Sequence, residues 1–143
     1  MDIKPQHPHL GKGGEIIGIG VDMIRIDRID RSIARFGDRF LRRIYTANEL
    51  DQANKRGAGR VRFLATRFAA KEAVWKAMGN ITDIASHGLE LRQIEISGDS
   101  TGKPHVVLNI ANTAHMQHWR IDCSLSDDDG LALAFIVISR HYA

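Results

Sequence analysis

Residues 60–79 read RVRFLATRFAAKEAVWKAMG, and this stretch decides how the rest of the chain is organised. Val61, Leu64, Phe68, Trp75 and Met78 supply much of one apolar side. Residues three and four apart share a helix face, so the spacing predicts a helix over 60–78. Gly79 is placed to end it. Arg67, Lys71, Glu72 and Lys76 crowd onto the same helix. Glu72 and Lys76 lie four residues apart, the spacing of an ordinary surface ion pair. Mixed charge on one helix also suits a phosphate and a metal ion held together.

Upstream, Glu15 to Val21 is a short apolar run with glycines, predicting a buried strand that ends at Asp22. Then Ile26, Ile29, Ile33, Phe36 and Phe40 recur at helical spacing, as do Arg28, Arg31, Arg35, Arg39 and Arg42. The two sets centre on roughly opposite faces, one packing and one offering cations. Gly37-Asp38 is expected to break this helix in two, with Asp38 as a cap. Thr46-Ala47-Asn48-Glu49 matches a capping box and starts another helix. Downstream, Asn80 to Gly88 reads as a loop, Leu89 to Ser97 as a half-buried strand, and residues 99–104 as a turn. His105 to Ile110 reads as a strand and 111–118 as a short helix. Arg120 to Ser126 and Leu131 to Ser139 form a final strand pair, joined by the acidic turn Asp127-Asp128-Asp129-Gly130. This order predicts an α+β fold with an antiparallel sheet packed against helices.

The 143 residues carry no clear repeat and no internal linker. One domain over 15–143 is expected, preceded by a flexible extension over 1–14 that is rich in Pro, Gly and His. Hydrophobic residues make up 43% and charged residues 26%, which excludes disorder along the whole length. No apolar run approaches the ~18–20 residues of a membrane-spanning helix, so no membrane partner is expected. The first 14 residues lack an apolar signal core, so secretion is not expected. The single cysteine, Cys123, cannot form an internal disulfide and excludes a multi-Cys zinc site. It reads as a small core residue. These features point to a reducing, cytoplasmic setting. His115 and His118 share a face but lack a third ligand nearby, so zinc is not expected.

Charge is unevenly spread. Residues 22–76 hold 14 Lys and Arg against 7 Asp and Glu, whereas elsewhere acids outnumber bases 10 to 6. Eleven of those 14 cations are arginines, which suit bidentate contact with phosphate or carboxylate. The alternatives are a solvated surface and an acidic partner: a nucleic acid, a phosphorylated small molecule or an acidic protein. An Arg-rich nucleic-acid-binding module without catalysis is one such reading, although only Phe36, Phe40 and Tyr45 lie close enough to the stripe to stack on bases. Gly18-Ile19-Gly20 lacks the third glycine of a dinucleotide fingerprint, since that position is Met23. Its glycines fit close approach of neighbouring backbone. Asp22 at a strand end is either a helix cap or, with Glu72, a metal ligand. Magnesium takes one or two protein carboxylates and completes its shell with water and substrate phosphate. The two residues serve that role only if the fold brings them together.

Gly18-Ile19-Gly20-Val21-Asp22-Met23-Ile24 followed by Arg28-Ile29 resembles the opening motif of the holo-acyl-carrier-protein synthases, and Arg67 to Ala77 resembles their most diagnostic motif. Gly102-Lys103-Pro104 resembles the family's turn. Ser124-Leu125-Ser126 with Ala132 to Ile138 resembles its C-terminal strand pair, so the match runs from about Glu15 to Ser139. The resemblance implies a phosphopantetheinyl-transferase-like α+β fold, assembled as a homotrimer with sites between subunits. It implies transfer of 4′-phosphopantetheine from coenzyme A to a serine of apo-acyl-carrier protein, leaving adenosine 3′,5′-bisphosphate. By motif, Asp22 and Glu72 would hold Mg²⁺, with Mn²⁺ as a substitute, and Asp22, Glu72 and Lys76 would form the catalytic group. Arg67, Lys76, Gly102 and Pro104 would contact coenzyme A. Arg28, Arg31 and Arg35 would dock the acidic carrier protein, leaving no role for nucleic acid. Two places depart from the family pattern. Asp127 stands where a His is common, and reads either as a turn residue, which is favoured, or as a spare metal ligand. Asn80-Ile81-Thr82-Asp83 replaces a stretch usually rich in Gly and Thr.

Overall fold

The computed structural model describes residues 14–79, 81 and 88–142. The extension expected over 1–14 lies outside the described residues except for Gly14, as does most of the loop expected over 80–88. Strand β1 (Gly14–Arg25) leads into α1 (Ile26–Phe36), α2 (Asp38–Ile44), α3 (Ala47–Asn54) and the long α4 (Arg60–Met78). Then come β2 (Ile94–Gly98), β3 (Pro104–Leu108), β4 (Trp119–Asp128) and β5 (Leu131–His141). β1, β5 and β4 form an antiparallel sheet in that order, and β2 with β3 forms a separate antiparallel hairpin. The α+β expectation holds.

Helix α4 runs across one face of the three-stranded sheet. Its contact ridge is Ala65, Ala69, Ala73 and Ala77, all essentially inaccessible. Residues spaced by four form one ridge, and methyl-sized side chains let the sheet come close. The sheet answers with Ala132, Ala134, Ile136 and Ile138 of β5, all fully buried. β1 comes closest of all. A Cβ on Gly20 would overlap the carbonyl oxygen of Ala73, and one on Gly18 would overlap that of Ala77. The two glycines therefore do what the sequence suggested: they let backbone meet backbone. Trp75, expected on the apolar side, is instead 40% exposed.

β1 extends past Asp22 to Arg25, because Met23, Ile24 and Arg25 pair with Leu133, Ala132 and Leu131. Asp22 thus lies within a strand and caps nothing; Arg25 precedes α1 without any side-chain cap. β1 is also not buried on both faces, since Ile19, Val21 and Met23 are exposed. Gly37, at φ 56°, ends α1 and precedes α2, so the expected break occurs, but Asp38 is the first helical residue and not the cap. The capping box at Thr46 forms as predicted, with the Glu49 amide donating to Thr46 Oγ1 and the Thr46 amide to Glu49 Oε1. Only the end of the expected strand over 89–97 is extended; Leu91–Gln93 is a 3-10 turn. The helix expected over 111–118 shrinks to a 3-10 turn at Ala114–Met116. Asp127 pairs with Ala132 inside β4, so it is a strand residue; the turn is made by Asp129 and Gly130, both at positive φ.

Candidate active site

The close approach of β1 to α4 fixes the site. Gly18 lies against Ala77 and Gly20 against Ala73, so the strand runs antiparallel to the helix. Strand residues alternate faces, which puts Asp22 on the same side as the two glycines. Its strand partner Ala134 is buried on that side. Asp22 thereby meets the part of α4 that carries Glu72 and Lys76. Lys76 Nζ donates to Asp22 Oδ1 at 3.0 Å and to the Val21 carbonyl at 3.2 Å. The Asp22 side chain is 17% exposed and that of Lys76 is 50% exposed. Burial raises the Glu72 carboxyl above its ordinary range; the Asp22 charge raises it further, while Lys76 and Arg28 oppose. The sequence could not join residues 22 and 72; the fold does.

Glu72 sits where burial and the Asp22 charge disfavour its anion, so a divalent cation placed between the two carboxylates would relieve the strain on Glu72. Among the described residues, no three His, Cys, Asp or Glu side chains gather. The donor set therefore suits a hard cation that takes two protein oxygens and draws its remaining ligands from water and phosphate. Asp22 and Glu72 fit Mg²⁺ on this ground, with Lys76 alongside to meet an anionic substrate.

Residues 18–136 match the 4′-phosphopantetheinyl transferase superfamily. The chain belongs to that family. It is 42% identical over 127 residues to the holo-[acyl-carrier-protein] synthase of Wolbachia sp. subsp. Brugia malayi, covering 86% of this chain and 95% of that protein. The crystal structure of the Neisseria meningitidis synthase superposes with a TM-score of 0.74 at 37% identity, covering 87% of this chain and 98% of that one. The Bacillus anthracis synthase, in complex with CoA (3′,5′-ADP), gives 0.70 at 32% identity over 87% and 97% of the two chains.

The remaining predicted site residues lie elsewhere on this transferase. Arg67 is half-buried on another side of α4. Its guanidinium lies over the Phe63 ring at 3.8 Å, and Nη1 donates to Thr66 Oγ1 at 3.2 Å. Among the described residues its Nε is buried without an acceptor. Burial pulls the Arg67 pKa down, and the neighbouring Arg56 adds to that. Arg56 covers the same ring at 4.6 Å. Arg56 and Phe63 were not singled out from the sequence, since a ring between two guanidiniums seven and four residues away is visible only as helix spacing. Gly102 (φ 83°) and Pro104 sit at the tip of the β2–β3 hairpin, in a turn held by Asp99, which accepts from the Thr101 and Lys103 amides. Among the described residues, neither bonds to Asp22, Glu72 or Lys76.

Arg28, Arg31 and Arg35 are exposed on α1. Arg31 pairs loosely with Asp27 at 3.4 Å, and Arg35 lies over Phe36 at 5.0 Å. Below them opens a groove of about 820 Å³ with Phe36, Phe40 and Leu91 as apolar lining and Arg39, Arg43 and Arg92 as cations. It does not include Asp22, Glu72 or Lys76. Asp127 meets Arg62 Nε at 3.5 Å on a largely exposed surface. Lys71 leaves the active face altogether: its side chain is inaccessible and its ammonium pairs with Glu49 at 2.5 Å. All four charged residues lie on α4 as expected, but Lys71 and Arg67 face away from Glu72 and Lys76. No helix of the described residues is long and apolar enough to cross a membrane.

Proposed function

We propose that the chain is a magnesium-dependent holo-acyl-carrier-protein synthase, one domain over 15–143, acting in the cytoplasm in support of fatty-acid synthesis. It transfers 4′-phosphopantetheine from coenzyme A to a serine of apo-acyl-carrier protein and releases adenosine 3′,5′-bisphosphate. The observation that carries the reading is the meeting of Asp22, Glu72 and Lys76 where β1 crosses α4.

Asp22 and Glu72 would hold Mg²⁺, or Mn²⁺ in its place, and the bound cation would supply charge neutralisation for the phosphates of coenzyme A and for the leaving bisphosphate. Lys76 turns from Asp22 to a phosphate oxygen as the substrate enters. Its long stem and half-exposed ammonium suit that movement. The serine oxygen forms the new bond to phosphorus, and the pyrophosphate bridge breaks with its electron pair leaving on the bisphosphate. The serine proton passes either to Glu72 or to a water beside it. The orphan Arg67 Nε and the cation pair on Phe63 suit a phosphate of coenzyme A, and the Gly102–Pro104 turn lets substrate approach backbone closely.

The site is completed between copies in a homotrimer. Five residues along a helix rotate by about 140° net, so Arg67 and Glu72 of one chain look away from each other. The bare face of the β1–β5 sheet supports assembly: Val21 pairs with Phe135 and Met23 with Leu133, and all four are at least 39% exposed. The arginines of α1, with Arg28, Arg31 and Arg35 foremost, and the groove beside them suit the acidic, amphipathic surface of a carrier protein. With that partner, the nucleic-acid-binding alternative is not needed.

Purified protein incubated with coenzyme A, Mg²⁺ and apo-acyl-carrier protein should add the mass of one phosphopantetheine group to the carrier. Absence of that mass gain across a series of divalent metals would overturn the reading.

A further inference from the structure

The side of α4 away from β1 holds a second charged cluster, fully enclosed. Lys71 and Glu49 side chains are both inaccessible, with Nζ to Oε1 at 2.5 Å. Lys71 Nζ also donates to the Leu91 carbonyl at 3.1 Å and to the Ile94 carbonyl. Glu49 Oε1 accepts the Thr46 amide at 2.9 Å, and Oε2 accepts the Ile96 amide at 3.0 Å. Thr46 Oγ1 in turn donates to Glu95 at 2.8 Å. Three ammonium protons and both carboxylate oxygens are thus accounted for, with Tyr45 as the neighbouring wall.

Such a pair is weak evidence for stability. Two charges taken out of water recover their desolvation cost only through mutual attraction and satisfied bonds, and apolar replacements of both are often neutral or stabilising. In some proteins a buried pair instead fixes geometry and register. The elements it joins are unusual in this respect. Lys71 immediately precedes Glu72 and lies five residues before Lys76. Leu91 lies in the wall of the arginine-lined groove. Ile94, Glu95 and Ile96 begin the hairpin that ends in the turn carrying Gly102 and Pro104. One ion pair therefore fastens the catalytic helix, the groove wall and the hairpin to one another through α3.

We infer that Lys71 and Glu49 are positioning residues for phosphopantetheine transfer: their buried pair sets the rotation of α4, and with it the placement of Glu72 and Lys76 relative to the substrate-binding hairpin and groove. The inference rests on the proposed transfer reaction. Rotating a helix by a few degrees moves a carboxylate by a sizeable fraction of an ångström, and misplacement of about 1 Å can cost about 10²-fold in rate.

The test compares the paired apolar variant Glu49→Leu/Lys71→Met with Glu49→Asp, which keeps the charge but shortens its reach. Wild type must first transfer phosphopantetheine, which tests the underlying reaction separately. The fraction of folded chain is measured by circular dichroism, and kcat is corrected for it. The expected result is a fall in corrected kcat of about tenfold or more in both variants. KM for coenzyme A should change less than about threefold, because the pair touches no substrate. If the paired variant does not fold, Glu49→Asp decides alone. Wild-type kcat in a folded variant, or a loss of rate matched by loss of folded chain, overturns the inference.

Discussion

Helix α4 carries two lysines five residues apart that meet opposite fates. Lys71 is sealed with Glu49 and bonds to two carbonyls, leaving nothing unsatisfied. Lys76 is half-exposed, leans on Asp22 at 3.0 Å and stands beside a Glu72 whose ionised form is disfavoured. Both clusters contain a lysine and a carboxylate at bonding distance. The difference lies in what remains unmet. The Lys71 cluster is complete without any ligand, so it organises the fold. In the Asp22–Glu72–Lys76 cluster the Glu72 anion stays disfavoured even with Lys76 and Arg28 opposing, which on the proposed reading is where a cation and an anionic substrate would enter.

The largest effect that would break this contrast is on chemistry. Glu72→Gln keeps the shape of the side chain and removes its charge, and should lower transfer by about 10²–10⁴-fold with the fold intact. Intact-mass assay and circular dichroism measure the two parts. The two lysines should then separate by what they cost. Lys71→Met strands the Glu49 carboxylate in the interior and should destabilise the chain by about 3–5 kcal/mol in denaturant unfolding. Lys76→Met removes a partly exposed pair and should cost less than about 1 kcal/mol while impairing transfer. Equal stability losses would erase the distinction. Arg67→Gln leaves both clusters in place and should raise KM for coenzyme A by about 10- to 100-fold, the worth of one charge-assisted hydrogen bond.

The smallest effect concerns pH. Folding raises the Glu72 pKa, so its contribution to stability is full below the ordinary glutamate range and declines as pH rises through the folded value. Without divalent metal, Glu72→Gln should melt a few degrees above wild type at neutral pH, and the gap should close below about pH 4. Added Mg²⁺ should raise the wild-type midpoint and leave the variant unmoved.

Much of this was legible in the residues. α4 was bounded by its spacing and Gly79, the Thr46 capping box by its pattern, and the β4–β5 pair by alternation around a Gly-containing turn. These are local signals. What escaped detection was decided by partners distant in sequence. The strand end at Asp22 was misplaced because Met23 to Arg25 are held extended by Leu131 to Leu133, over a hundred residues away. Helix spacing puts Lys71 on the same helix as Glu72 and Lys76 but does not reveal that Glu49, on another helix, closes over it. Trp75 was assigned inward, although the actual contact ridge is a row of four alanines. The motif points to Asp22 and Glu72, but the glycine contacts of β1 with α4 explain why they meet.

The central claim is that Asp22 and Glu72 together hold one divalent ion. Electron paramagnetic resonance of Mn²⁺ titrated into the chain with coenzyme A present reads this directly. Wild type should bind one Mn²⁺ per chain, and Asp22→Asn and Glu72→Gln should each lose that binding while remaining folded. Mn²⁺ binding equal to wild type in either folded variant would contradict the account.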